Sequence, residues 1–185
     1  MTLVERVKRI LLTPEEEWQV IDAEPTTPAE LYRGYIAPLA AIGPVAATLG
    51  WLIFGYRGSL ATGLGPVLTW AAVSYLMTLG GVYVLALIID ALAPNFDASR
   101  DQLQALKVAA YSSTPSWVAG VFGLVPRLSW LGLLGLYSLY LMYLGLPRLM
   151  KVPEDKALGY TVLVVFSALI LFLVIGLVAA TFLGR

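Results

Sequence analysis

ALGYTVLVVFSALILFLVIGLVAATFLG, residues 157–184, runs for 28 residues without one acidic or basic side chain. A helix rises about 1.5 Å per residue, so this stretch exceeds what the roughly 30 Å hydrocarbon core of a bilayer requires. Four more windows are equally uncharged: 34–56, 58–89, 108–126 and 128–147, each of at least 19 residues. The twelve acidic and twelve basic residues all lie outside these five windows. One apolar window of about 20 residues makes one crossing. The pattern therefore predicts an all-α, polytopic membrane protein. Its core is a five-transmembrane-helix bundle with spans at about 34–56, 66–92, 105–125, 128–147 and 158–183. A short amphipathic interfacial helix precedes it.

The rest of the composition agrees. Of the 185 residues 59% are hydrophobic and 13% charged, with a mean hydropathy of +0.80, far from the balance of a soluble domain. Five spans and their connections use nearly the whole chain. Residues 1–27 read as a cytoplasmic or interfacial segment and 28–185 as a single five-span membrane domain. A formal charge of zero and the lack of a basic run argue against a nucleic-acid partner. There is no cysteine and no histidine. Disulfides, thiolate nucleophiles, the commonest general base and the commonest metal ligands are therefore missing. No catalytic residue, metal site or cofactor is expected, and the chain reads as a non-enzyme.

The charged opening residues lead into no cleavable apolar core, so the N-terminus is expected to stay on the side where it is made. Lysine and arginine are retained in the cytoplasm, which orients the bundle. Nine of them stand before the first span (Arg6, Lys8, Arg9, Arg33) and in the second and fourth connections (Arg100, Lys107, Arg148, Lys151, Lys156). Three stand in the alternate segments (Arg57, Arg127, Arg185). That count predicts an N-terminus in the cytoplasm and a C-terminus on the extracytoplasmic side.

Leu3, Val7, Ile10 and Leu11 fall on one face of a helix over about 3–12, with Glu5, Arg6, Lys8 and Arg9 largely away from it. Thr13-Pro14-Glu15-Glu16 reads as the start of a second helix over 14–23 carrying Trp18, with Thr13 as N-cap. Thr27-Pro28-Ala29-Glu30 repeats that grammar ahead of the first span. These two helices form either a membrane-surface docking element or a flap packed over the cytoplasmic ends of the spans.

Inside the bundle, Pro38, Pro44 and Pro115 are expected to kink their helices. Residues 58–65 read as an outside loop. The third span carries Tyr111, Ser112, Ser113, Thr114 and Ser116, hydroxyls that need partners in hydrocarbon. A short turn at Pro126-Arg127 makes spans three and four an antiparallel hairpin, and the fourth bears Tyr137, Tyr140 and Tyr143 along one side. Residues at equal depth then have numbers summing to about 253, which sets Tyr137 near Ser116 and Tyr140 near Ser113. The expectation is a polar seam of Tyr111, Ser113, Thr114, Ser116, Tyr137 and Tyr140, acting as interhelical glue or as a substrate-contacting groove. The same depth argument pairs Asp90 with Lys107 at the membrane boundary. Ala46 and Gly50, and Gly176 and Ala180, permit close helix approach.

Four stretches carry a resemblance: 5–18 (ERVKRILLTPEEEW), 105–115 (ALKVAAYSSTP), 136–147 (LYSLYLMYLGLP) and 151–156 (KVPEDK). Together they resemble bacterial members of the Yip family, the Ypt-interacting-protein domain. The resemblance implies five spans with the N-terminus inside. Eukaryotic members act in vesicle traffic with Rab-type GTPases, largely through a longer N-terminal region. With about 33 residues before the first span here, no such GTPase partner is inferable. The partners expected are the lipid bilayer and a membrane protein or a second copy of the chain. The function expected is a membrane-organising role that binds lipids or partners. The alternative is a small conduit or lipid-handling transporter that uses the seam.

Overall fold

The structure, a computed structural model, describes residues 1–54 and 64–183, with the backbone alone at Pro126, Phe172 and 174–183. The regular elements among the described residues are all helical.

Helix α1, Leu3–Leu12, opens with a reciprocal cap. Thr2 Oγ1 accepts from the Glu5 backbone at 3.3 Å, and Glu5 Oε2 accepts from the Thr2 backbone at 2.9 Å. Helix α2, Pro14–Ala23, begins with a proline whose fixed φ suits a first turn. Thr13 stands at its N-cap position but does not cap it. Only this residue separates the helices, and it serves the end of α1 instead. Its backbone N–H donates to the Arg9 carbonyl at 2.8 Å and its hydroxyl to the same oxygen at 3.2 Å.

Helix α3 is composite and runs Pro28–Phe54. Thr27 and Glu30 form a second reciprocal cap at its start. Tyr32–Ile36 widens into a π-helical turn just before Pro38, and a turn at Ala41 interrupts the helix ahead of Gly43-Pro44. A widened turn gives the proline ring room against the carbonyls of the preceding turn. Helix α4, Leu64–Leu92, continues into a 3-10 turn, Ala93–Phe96, and ends at Asp97 with φ 54°. Leu64 and Gly65 are already helical; the remainder of the expected outside loop, 58–63, lies outside the described residues.

The third expected span is not one continuous α-helix. It divides into α5, Gln102–Ser112, α6, Thr114–Ala119, and a 3-10 segment, Gly120–Leu124. Pro115 has no N–H to give to the Tyr111 carbonyl four residues back. The Thr114 hydroxyl donates to that carbonyl instead, at 2.7 Å, while Ser112 and Ser113 donate to Val108 and Ala109 at 2.6 and 2.7 Å. The hydroxyls satisfy the carbonyls that the break exposes, as an apolar setting demands. Beyond Val125 the chain is a 3-10 helix, Pro126–Leu136, that becomes α7, Tyr137–Leu149. Helix α8, Glu154–Leu183, runs 30 residues with its charges confined to the first turn.

Among the described residues, three stretches are long and apolar enough to cross a bilayer by length and composition: Pro28–Phe54, Leu64–Phe96 and Arg127–Leu149. The outer surface is apolar: Leu68, Val73 and Leu76 on α4 and Leu158, Val162, Phe166 and Leu169 on α8 are all exposed. A surface of that kind belongs against lipid. Gly50 of α3 meets the carbonyls of Gly123 and Leu124, where a Cβ would sit 2.5 Å from the Leu124 oxygen. That approach is open to glycine alone. At Gly176 and Ala180 only the backbone is described.

Among the largest buried side chains, Ile10, Trp18 and Ile21 come from α1 and α2, and they share the core with Ile36 of α3, Ile89 of α4, Val108 of α5, Leu141 and Leu146 of α7, Met150 just beyond it, and Tyr160 of α8. One end of the bundle gathers the connections. Ser99 N–H donates to the Met150 carbonyl at 2.9 Å, Lys156 pairs with Asp97, and Lys151 pairs with Asp22 at 2.6 Å. The three segments that the charge count assigned to one side therefore meet in space.

Candidate functional site

The expected seam between the third and fourth segments is divided. Ser116 Oγ lies 2.9 Å from Ser138 Oγ and donates to the Gly135 carbonyl at 3.2 Å. Those pairs sum to 254 and 251, so the hairpin has close to the anticipated register. Tyr137 does not reach Ser116; its hydroxyl crosses to the Leu11 carbonyl of α1 at 3.3 Å. Tyr140 does not reach Ser113; it is 43% exposed and lies against Tyr137 at 5.4 Å between ring centroids. Ser113 turns to its own helix.

Tyr111 and Thr114 face α3 and the N-terminal helices. The Tyr35 hydroxyl is 2.7 Å from Thr114 Oγ1. The Thr114 proton is already committed to Tyr111 O, so Tyr35 is the donor. The Tyr35 and Tyr111 rings are 4.4 Å apart, Trp18 meets Tyr111 edge-on at 6.2 Å, and Arg6 lies over Tyr111 at 5.8 Å. All of these residues are buried.

Asp90 and Lys107 do not pair. Asp90 takes Arg100, with Nη2 at 3.0 Å and Nε at 3.3 Å, because both stand at the solvent edge of the adjoining loop. Lys107 is 3% exposed and points to the N-terminal segment, donating to the Ile21 carbonyl at 2.9 Å and the Glu24 carbonyl at 2.8 Å. Those oxygens belong to the last turn of α2, where the helix leaves carbonyls without intrahelical donors and a cation is favoured.

A buried ion cluster reinforces this junction. Glu17 is fully buried between Arg6 Nη1 at 2.6 Å and Arg9 Nε at 2.7 Å, and Arg6 also reaches Glu24. Burial works against the Arg6 charge, but Tyr111, Glu24 and Glu17 outweigh it and raise its pKa. Trp18 fits against Gly145 of α7 so closely that a Cβ there would stand 2.7 Å from the indole. Sequence reasoning placed Arg6 away from the apolar face. Yet Arg6 is three residues after Leu3 and four before Ile10, the spacing of the buried stripe. Glu17 likewise shares its face with Ile21.

The fold and this junction define a helical membrane protein whose N-terminal helices are built into one end of the bundle. A family model, described as the Yip1 domain, matches residues 8–176. The chain belongs to the Yip1 domain family. It is similar to the inner membrane protein YohC of Escherichia coli strain K12, at 28% identity over 159 residues, covering 80% of each chain. The same figures hold for YohC of Escherichia coli strain O6:H1. No solved structure matches the chain.

Proposed function

We propose that the chain is a non-enzymatic, multi-pass protein of the bacterial inner membrane that organises lipid or protein partners at its cytoplasmic end. The observation that carries this reading is how the polar groups of the bundle are used. Tyr111, Thr114 and Lys107 are spent on fixing α1, α2 and α3 to the third segment. The result is a solid cap on a membrane-embedded bundle. The positive-inside count puts that cap in the cytoplasm, and the name of the similar YohC protein accords with an inner-membrane location.

The alternative, a small conduit or lipid-handling transporter, draws on one feature. Ser116 and Ser138 line an open groove of about 660 Å³ with Trp130 and Leu133. Tyr111, Thr114 and Tyr140 do not line it.

Reconstitution into vesicles separates the two readings. The organiser reading expects release of an entrapped dye, and movement of labelled lipid between leaflets, at the rates of protein-free vesicles. It also expects the chain in mild detergent to retain lipid or a co-purifying protein by native mass spectrometry. Accelerated leakage or lipid flipping would move the assignment to the conduit.

A further inference from the structure

Between α2, the end of α7 and the start of α8 lies a cleft of about 470 Å³, within the size range of small-ligand sites. Trp18, Tyr143 and Leu144 line it, and Glu15, Arg148, Lys151 and Glu154 line it as well. Charges of both signs thus share one cleft with apolar side chains.

Those charges do not neutralise one another. Among the described residues, the side chains of Arg148, Glu15 and Glu154 make no hydrogen bond or ion pair, although all three border the same space. Lys151 is fixed by Asp22 at 2.6 Å and by the Arg148 carbonyl at 2.7 Å. An ammonium has three protons, so one donor remains. Trp18, in the wall of the cleft, is 1% exposed, and its indole N–H has no acceptor among the described residues. A buried donor without a partner calls for an explanation.

The position of the cleft narrows the occupant. It stands at the end of the bundle where the connections gather, while farther along the same two helices Leu139, Tyr140, Leu158 and Val162 are exposed as lipid-facing residues are. Two cations and two carboxylates on one wall, beside apolar side chains, suit a molecule that carries both an anion and a cation above an apolar body. We infer that this cleft seats the headgroup of a zwitterionic phospholipid with a primary amine. The phosphate meets Arg148 and Lys151, and the ammonium donates to Glu15 and Glu154. A purely anionic headgroup would meet Arg148 and Lys151 but bring no cation for the two carboxylates. This inference rests on the proposed lipid-engaging role and names the lipid class.

The test uses the full chain in nonionic detergent with equal amounts of phosphatidylethanolamine and phosphatidylglycerol of matched acyl chains, followed by native mass spectrometry. Phosphatidylethanolamine is expected to be retained over phosphatidylglycerol. Arg148→Gln and Glu154→Gln, exposed positions with no structural partner, should each cut that retention about fivefold. Arg33→Gln, an exposed arginine away from the cleft, should leave it unchanged. Water-soluble phosphoethanolamine at the same concentration should not displace the lipid; displacement would overturn the lipid assignment. Equal retention of both lipids, or variants that bind as wild type does, would overturn the headgroup site while leaving a lipid-binding role standing. A chain that retains neither lipid would overturn both.

Discussion

Lys107 shows how a residue's depth can be legible when its partner is not. Its charge at the edge of an apolar window marked it as a boundary group, and pairing by hairpin depth pointed to Asp90. The carbonyls it serves belong to α2, more than 80 residues earlier in the chain, and no local spacing encodes that contact. Lys107→Met keeps the length of the side chain but removes both hydrogen bonds and leaves the Ile21 and Glu24 carbonyls, at the C-terminal end of α2, without this donor. The expected loss is about 1–3 kcal/mol, read as a lower midpoint of thermal unfolding in detergent. A variant as stable as wild type would mean that the helix end is satisfied by other means.

The elements show which local rules hold in this setting. Both N-terminal helices span the residues their pattern indicates, although Arg6 and Glu17 join the buried face, and the Thr27–Glu30 cap forms as its motif indicates. Thr13 departs because one residue cannot end one helix and cap the next. The Glu5 cap carboxylate gives a pH signature. A backbone hydrogen bond from Thr2 holds Glu5 below the usual carboxylate value of 4.5. A depressed folded pKa contributes stability above the unfolded value, and that contribution is lost as pH falls through the folded one. Helix content should therefore fall as pH drops below 4.5. By circular dichroism, Glu5→Gln should show a smaller acid-dependent loss. An identical acid response would remove the Thr2–Glu5 cap as its source.

The third segment departs further, because a proline and five hydroxyls within six residues rewrite its hydrogen bonding. Composition alone revealed that these hydroxyls need partners. It could not reveal that Tyr35, on a different helix, takes one of them. A double-mutant cycle of Tyr35→Phe and Thr114→Val is expected to give a coupling of about 0.6 kcal/mol, the usual size for an interhelical bond in a membrane protein. Additivity of the two single effects would show that the hydroxyls do not interact.

For the whole molecule, the windows free of charge announced a helical membrane protein, and the family to which the chain belongs agrees. Three stretches among the described residues meet the length and hydropathy of a crossing. The third window is the one whose crossing composition left least certain, since hydroxyls and a break replace a continuous apolar helix. Hydrogen bonds and ion pairs gather residues 1–24, 94–101 and 149–156 at one end, as a five-crossing path requires. On that path the turn at Pro126 is expected on the opposite side of the bilayer.

The chain has no native cysteine, so single substitutions can report this path without background. Lys8→Cys, Asp97→Cys, Asp155→Cys and Arg127→Cys, each at an exposed position, would be treated in intact spheroplasts with a membrane-impermeant maleimide. The five-crossing account predicts labelling at position 127 alone, with 8, 97 and 155 reacting only after the membrane is opened. Protection of position 127 together with the other three would contradict it, and would leave the 102–149 hairpin on one side of the membrane.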